Sequence, residues 1–408
     1  MGRSDRLPDR TPTKTTCRYS GSLEGPFDDA SRQVSLKLAF FMPKVMPMPG
    51  LFDALPVRGI TLRNRIAVSP MCQYSSDEGF ANEWHFVHLG SRAVGGAALV
   101  FTEASAVLRD GRISPQDLGI WDDAHVEALA HIVQFIHEQG AIAGTQLAHA
   151  GRKASTRRPW EGRGQASEAE GGWSRVVAPS PVPFADTYPQ PQALREAEIP
   201  VIVAAFAEAA RRARAAGFRV VEIHAAHGYL IHEFLSPLAN YRDDHYGGSF
   251  ENRTRLLREI VGAVRGVWPE ELPLFVRISA TDWHDGGWDI EQSIELARML
   301  GPLGVDLVDC SSSGMVPGVS IPVGPGYQTP FAERIRREAG IPTGTVGLIT
   351  EPVQADHIIR SEQADLVLLA REMLRDPYWP LRAARELGRE VSWPAQYLRA
   401  APVGSAAR

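Results

Sequence analysis

Short apolar runs alternate with longer amphipathic stretches along most of the chain. Eight runs rich in Val, Ile and Leu lie at residues 65–69, 97–104, 141–147, 219–224, 274–279, 305–312, 342–347 and 364–370. Between them, apolar residues recur at helical spacing, as in the stretch that contains Val126, Leu129, Val133 and Ile136. Such alternation of strands and helices predicts a parallel sheet with helical crossovers.

Eight strand-and-helix units over roughly 350 residues favour an α/β fold with a single (β/α)8 (TIM) barrel. The main competitor is a doubly wound open sheet, which normally carries a glycine fingerprint in its first strand-to-helix turn. No such fingerprint follows residues 65–69. A long Gly/Pro/Ser-rich interval between Arg152 and Gln192, after the third strand, is interpreted as an excursion at the barrel mouth.

The two ends of the chain lack this pattern. Residues 1–47 mix Arg, Pro, Thr and Asp without periodicity. This predicts either an unstructured N-terminal extension or a true first residue further along, at Met46 or Met48. Asp5 and Asp9 argue against a transit peptide. The barrel is therefore expected over residues 48–400, followed by a C-terminal tail over residues 401–408.

The bulk composition narrows the class of protein. A net charge of -5 gives no basic surface for nucleic acid or anionic membranes. Cys17, Cys72 and Cys310 are too few and too scattered for a disulfide framework or a thiolate metal cluster, so a reducing cytoplasm is expected. Because no apolar run approaches the roughly 18 residues of a membrane-spanning helix, a soluble protein is expected.

Polar residues stand where several predicted strands end, which is where barrels of this type place their chemistry. Arg277 lies inside the apolar run LFVRIS, so an inward-pointing guanidinium would need a negative or electron-rich partner. A surface-facing arginine, or one paired with a carboxylate of a neighbouring strand, is the plainer alternative. Gly347 and Arg371 follow the seventh and eighth strands, where barrels often bind phosphate, although a simple tight turn also fits.

The stretch HAAHGYL, from His224 to Leu230, follows the fourth strand and leaves four interpretations open. A zinc site would need further ligands and lacks the Glu of the metalloprotease helix. The two histidines could form a general acid–base pair. They could instead donate N–H groups to a carbonyl oxygen, with Tyr229 nearby as proton donor. Structural histidines that only satisfy the backbone are the fourth possibility.

Six segments together resemble the Old Yellow Enzyme family of FMN-dependent ene-reductases: SPMCQYSSDEG, TEAS, TQLAHAGR, GFRVVEIHAAHGYLIHEFLSPLANYRDDHYGGSFENRTR, FVRIS and LLAREMLRDPYW. The resemblance runs from about Leu51 to Arg399. The cysteine in MCQY and the C-terminal PAQYLRA resemble the bacterial thermophilic-like (YqjM-like) subgroup. Residues 1–45 lie outside the resemblance.

The resemblance implies that FMN lies across the barrel mouth, with Cys72 near its reactive edge and Arg277 facing N1 and O2. Backbone or side-chain contacts with the ring's polar edge are implied for Ala104 and Gln146. The full set of implied FMN contacts is Ser69, Pro70, Met71, Cys72, Ala104, Gln146, Arg277, Gly347, Ala370 and Arg371, of which Gly347 and Arg371 would hold the phosphate.

The resemblance also implies a substrate site. His224 and His227 would grip the carbonyl oxygen of an activated alkene, Tyr229 would deliver a proton, and Tyr74 would line the pocket. NADPH or NADH would reduce FMN, and hydride would then pass to the β carbon of an α,β-unsaturated carbonyl or nitro compound. Arg399 resembles an arginine that reaches a neighbouring subunit's active site, which implies a homo-oligomer.

Three rival functions are distinguishable from this one. A dienoyl-thioester reductase of the same superfamily would need the cysteines of an iron–sulfur cluster, which this chain cannot supply. A metal-dependent barrel hydrolase would use the two histidines of HAAHGYL as ligands. A flavin-binding redox sensor would bind FMN without turnover. No metal is expected, and the long excursion puts only the substrate preference in doubt.

Overall fold

The computed structural model describes residues 48–162 and 164–408, so the predicted extension over residues 1–47 lies outside the described residues. Within them the strands are β1 (Leu55–Val57), β2 (Ile60–Leu62), β3 (Ile66–Val68), β4 (Leu99–Ala106), β5 (Ile142–Ala148), β6 (Val177–Ala178), β7 (Gln192–Ala193), β8 (Val220–Ala225), β9 (Leu274–Ser279), β10 (Leu307–Ser311), β11 (Thr343–Thr345) and β12 (Leu366–Leu369).

Strands β3, β4, β5, β8, β9, β10, β11 and β12 close into a barrel in which all neighbouring strands are parallel. Each of the eight predicted runs overlaps one of these strands, so the (β/α)8 barrel prediction is confirmed. The strands follow one another around the barrel in chain order, as right-handed helical crossovers require.

The helices in the described residues are α1 (Glu83–Val94), α2 (His125–Glu138), α3 (Ile199–Ala215), α4 (Leu230–Leu235), α5 (Phe250–Arg253), α6 (Arg255–Val267), α7 (Ile290–Leu300), α8 (Thr329–Ala339), α9 (Pro352–Arg360), α10 (Arg371–Arg375) and α11 (Trp379–Glu386). Helix α2 shows why they form. Leu129, Val133 and Ile136 are buried on one face, and Gly140 adopts a φ of 70° just beyond the last turn.

The barrel interior and the layer between strands and helices are separate apolar clusters. Hairpin β1–β2 closes the amino-terminal end of the barrel, because Ile60 and Leu62 join the interior cluster and Gly59 N donates to Glu271 O at 2.8 Å. The carboxyl ends of the strands therefore remain the one barrel end at which the predicted polar residues can converge.

The excursion predicted after the third barrel strand lies between β5 and α3 and carries the short parallel pair β6–β7. It packs on the carboxyl end of the barrel. Trp173 Nε1 donates to Asp110 O at 3.1 Å, and Ala154 and Val176 share an apolar cluster with Tyr229. This packing makes the excursion part of the wall around the predicted substrate site.

The C-terminal tail, residues 401–408, folds back along the barrel. Arg408 donates from Nη1 to Ala93 O and Gln139 O, each at 3.2 Å, close to the ends of α1 and α2. Cations are favourable at helix carboxyl ends, where backbone carbonyls lack partners. Among the helices of residues 48–408 that the structure describes, none is long and apolar enough to cross a membrane.

Candidate active site

The segment Ser69–Cys72 leaves β3 at the carboxyl end of the barrel, beside Arg277. Arg277 points into the barrel, is 4% exposed, and donates from Nη1 to Ser69 Oγ at 2.9 Å. The end of β3 and the buried Arg277 are therefore in direct contact, as expected if both belong to the predicted FMN site.

Two acids that the sequence analysis did not select lie close to Arg277 on the neighbouring strands. Asp309 sits opposite Arg277 in the β9–β10 register, with Oδ2 3.3 Å from Arg277 Nε. Glu222 on β8 accepts a hydrogen bond from Gln146 Nε2 at 2.7 Å. The carboxylate of a neighbouring strand, kept above as the plainer partner for Arg277, is thus present. This carboxylate leaves other N–H groups of the Arg277 guanidinium free for a second, electron-rich partner.

Gln146 and Ala104 lie side by side in the β4–β5 register. The register of β4 shifts between Phe101 and Ala104, a bulge-like irregularity that re-aims the end of the strand. The structure therefore brings together the two residues predicted to meet the polar edge of the flavin ring.

HAAHGYL spans the last two residues of β8, the turn that follows and the first residue of α4. His224 is buried, and its Nε2 lies 3.4 Å from His227 Nδ1, while His227 Nε2 lies 2.7 Å from Ser311 Oγ. His227 adopts a φ of 60°, a conformation that costs a non-glycine residue free energy and persists where the surroundings fix it. The two imidazoles therefore form one rigid pair.

Both imidazoles are neutral at pH 7. Burial lowers the pKa of His224 well below its usual value, and the charge of Arg277 lowers it further. Burial and then His224 lower the pKa of His227 in the same way. A neutral imidazole carries one N–H, and His224 Nδ1 has no hydrogen-bond partner among the described residues. The pair can thus orient an oxygen acceptor without carrying charge.

Tyr229 is the N-cap residue just before α4 and stands edge-on to His224, with ring centroids 5.1 Å apart. Burial raises the pKa of its phenol well above the usual value, and Cys72 contributes to the rise. The phenol is therefore protonated across the neutral range. It can donate a proton but cannot act as a base at rest.

Lys153 is a further site residue, and it lies one position beyond the quoted motif TQLAHAGR, which ends at Arg152. Its Nζ donates to His227 O at 2.7 Å and to Gly314 O at 2.5 Å, and lies 5.6 Å from the Tyr229 ring centroid. Burial lowers its pKa to about 7. The one sequence feature that could have pointed to Lys153 is its place in the loop after the third barrel strand, β5.

Cys72 and Tyr74 line the other side of the mouth. Burial raises the pKa of the Cys72 thiol well above its usual value, so the thiol stays protonated. Tyr74 adopts a φ of 51°, and its ring meets Trp160 of the excursion edge-on with centroids 5.9 Å apart. The excursion therefore reaches a predicted substrate-site residue.

A cavity of about 160 Å³ extends from Arg277 to the start of α10. Predicted and additional residues share its lining: Arg277, Ser311, Tyr327, Gln328, Gly347, Ala370, Arg371 and Arg375. Gly347 has a φ of 130°, and a Cβ there would lie 2.9 Å from the Tyr327 ring. Glycine is thus required by both conformation and space, and two guanidiniums stand beside it.

Arg399 is the one predicted site residue that lies apart. It is exposed in the short 3-10 turn Ala395–Ala400 and has no hydrogen bond or ion pair with the other site residues in the part of the chain that the structure describes. Within residues 48–162 and 164–408, no three His, Cys, Asp or Glu side chains are grouped as ligands of one metal ion.

Comparison with known proteins agrees with the motifs. Residues 50–390 match the model of the NADH:flavin oxidoreductase / NADH oxidase family. The chain is 51% identical to an NADPH dehydrogenase of Geobacillus thermodenitrificans over 351 residues, covering 86% of this chain and 98% of that protein. It is 48% identical to an NADPH dehydrogenase of Listeria monocytogenes over 355 residues, covering 86% and 99%.

Solved structures give the same result. The chain is similar to morphinone reductase, with a TM-score of 0.71 and 27% identity over 85% of this chain and 91% of that one. It is also similar to the structure of morphinone reductase in complex with tetrahydroNAD, with a TM-score of 0.69 and 27% identity over 85% and 93%. The chain belongs to the NADH:flavin oxidoreductase / NADH oxidase family of FMN-dependent oxidoreductases, whose Old Yellow Enzyme branch its motifs resemble.

Proposed function

We propose that this protein is an FMN-dependent NADPH dehydrogenase of the Old Yellow Enzyme type that reduces the C=C bond of α,β-unsaturated carbonyl compounds. Activated nitroalkenes fall in the same proposal. The observation that carries it is the neutral pair His224 and His227 with the protonated Tyr229 beside it. His227 contacts Ser311, which lines a cavity that leads to two arginines. We further propose a cytoplasmic location.

The residues around the cavity fit FMN. The space above Gly347, Arg371 and Arg375 suits a phosphate, which prefers backbone N–H groups and guanidiniums. Arg277 is buried with only part of its donor set used, so it can meet the electron-rich edge of the ring. Ser69 to Cys72, Ala104, Gln146 and Ala370 complete the proposed contacts. When bound, FMN would supply the chemistry of hydride transfer from NADPH to the β carbon of the alkene.

The chain's own residues provide orientation and the proton. His224 and His227 hold the substrate oxygen, and because both are neutral their N–H dipoles stabilise negative charge that develops there. Tyr229 donates its O–H proton to the α carbon. Tyr74 and Trp160 wall the pocket, and Lys153 fixes the His227 turn through its carbonyl. Holding the alkene in one place converts the hydride step into an effectively unimolecular one.

The proposed function is tested by anaerobic absorbance spectra of the purified protein before NADPH, after NADPH, and after 2-cyclohexenone. An oxidised flavin spectrum that bleaches with NADPH and returns with the enone is expected. A colourless protein that does not take up added FMN would contradict the cofactor assignment. Flavin that bleaches but ignores the enone would contradict the substrate class and favour a sensor.

His224→Ala is expected to weaken binding of a phenol such as 4-hydroxybenzaldehyde by about tenfold, because one hydrogen bond is worth roughly 1 to 1.5 kcal/mol. FMN is expected to stay bound. The flavin absorbance change on titration with the phenol measures this affinity. His88→Ala is the matched control, since His88 is a buried histidine on α1 rather than at a strand end. Loss of FMN from the His224 variant would contradict the assignment of His224 to the substrate oxygen.

We also propose a homo-oligomer in which Arg399 reaches the active site of a neighbouring subunit. Its exposure and its separation from its own chain's site support this role. Sedimentation velocity at assay concentration checks the assembly, and a monomer that turns over at the full rate would contradict it.

A further inference from the structure

Glu222 and Asp309, called the acid pair here, are two fully buried carboxyl groups on the barrel axis side of β8 and β10. Arg277 on β9 lies between their strands. Neither acid touches the proposed substrate, and the proposed mechanism uses neither. Two buried acids beside one buried cation therefore need an explanation of their own, because unpaired buried charges are costly.

The hydrogen bonds indicate that the acid pair holds one proton. Taken as carboxylates, Glu222 Oε2 and both Asp309 oxygens have no hydrogen-bond donor among the described residues. A proton on Glu222 gives the two acids a hydrogen bond to each other. It also leaves one negative charge, on Asp309, to match the one positive charge of Arg277, 3.3 Å away.

The surroundings of the acid pair contain few other polar groups. Gln146 on β5 donates to Glu222, and Arg277 on β9 is the cation whose charge lowers the pKa of both acids. The inward residues one step below, Val220, Phe275 and Leu307, are apolar. Any new charge above Arg277 therefore acts on the acid pair with little screening.

We propose that, at alkaline pH, the acid pair takes up one proton when FMN bound above Arg277 is reduced and releases it on reoxidation. The inference rests on the proposed function, because it places the flavin's electron-rich edge at Arg277. Hydride from NADPH brings two electrons and one proton to the flavin, leaving one added negative charge. The acid pair binds one further proton from solvent, and returns it when hydride leaves for the alkene, so the overall proton balance is unchanged.

The pH range of this coupling follows from Glu222. Burial and then Asp309 raise its pKa to about 8, so below about pH 8 the acid pair already holds its proton in both redox states. Above that pH the oxidised form loses the proton. The added negative charge of the reduced form raises the pKa of Glu222 further, so reduction restores the proton. The coupling therefore begins near pH 8 and acts above it.

The test is the midpoint potential of the FMN-loaded protein, measured against reference dyes from about pH 7 to about pH 9.5. Each proton coupled to a two-electron reduction changes the equilibrium constant tenfold per pH unit, or about 30 mV. The wild-type slope is expected to rise from about 30 to about 60 mV per pH unit near pH 8.

Glu222→Gln is expected to keep the smaller slope throughout. Its amide can still accept from Gln146 and donate to Asp309, so it mimics the protonated acid. Asp309→Asn is expected to move the change of slope to lower pH, because it removes the negative charge that raises the pKa of Glu222. The second variant keeps the proposal testable if the first does not fold.

Glu233→Gln is the matched control. Glu233 is also fully buried with a pKa raised by burial to about 8, but it accepts from Arg152 N and does not contact Arg277. A wild-type slope that stays near 30 mV per pH unit, or a change of slope that disappears in Glu233→Gln instead of Glu222→Gln, would overturn the proposal. Failure to bind FMN at all would instead refute the proposed function.

Discussion

Arg277→Met is expected to lower the free energy of unfolding by about 3 kcal/mol or more, because it leaves Asp309 buried without its cation. It is also expected to abolish FMN binding, because it removes the guanidinium proposed to contact the flavin ring. Methionine fills similar space, so the loss comes from charge rather than from a cavity. Urea unfolding of the FMN-free protein measures the stability. Quenching of FMN fluorescence measures binding separately.

The pH dependence of this variant has a definite sign. Without Arg277 the folded-state pKa of Asp309 rises further above its unfolded value near 4. An acid whose folded pKa is raised costs nothing below its unfolded pKa and progressively destabilises the fold as pH rises toward the folded pKa. The deficit against wild type should therefore be larger at about pH 8 than at about pH 5.

The double variant Arg277→Met, Asp309→Asn separates the two effects. Removing the unpaired acid should restore most of the lost stability, since replacing both partners of a buried pair is far less costly than removing one. FMN binding should remain lost, because the guanidinium is still absent. If the single variant unfolds like wild type, Arg277 is not the cation that balances Asp309. If the double variant is no more stable than the single one, the same conclusion follows.

Arg277 and Asp309 show how far the site could be predicted from the sequence. The strands were predictable because eight apolar runs recur between amphipathic helices, and their ends differ from the structure by at most two residues. Arg277 stood out as a cation inside an apolar run. Its partner did not, because Asp309 becomes its neighbour only through the β9–β10 register, which local periodicity does not encode.

The candidate site divides in the same way. His224, His227 and Tyr229 lie within six residues, so one turn brings them together and a local motif is enough. Lys153 lies after β5, the strand beside β8, and joins that turn to the segment after β10 through the carbonyls of His227 and Gly314, which no motif marks. The contact of Tyr74 with Trp160 depends on how the excursion folds back, which a Gly/Pro-rich segment does not reveal in advance.

Tyr229→Phe is expected to slow flavin reoxidation by 2-cyclohexenone by about a hundredfold, the usual size of a lost general acid. Reduction by NADPH should be unchanged, because that step needs no proton from the phenol. Phenylalanine preserves the ring's packing against Ala154 and Val176 and its edge-on contact with His224. The variant therefore removes one O–H group and little else.

Anaerobic stopped-flow absorbance separates the two half-reactions, with Tyr241→Phe as a control because Tyr241 is an exposed tyrosine outside the site. Lys153 is the rival donor, since its ammonium lies 5.6 Å from the Tyr229 ring. Burial lowers its pKa to about 7, so a step that used its proton would slow as pH rises through about 7. The Tyr229 phenol stays protonated well above that pH. Reoxidation of Tyr229→Phe at the wild-type rate, with a decline near pH 7, would assign the proton to Lys153 and remove Tyr229 from the mechanism.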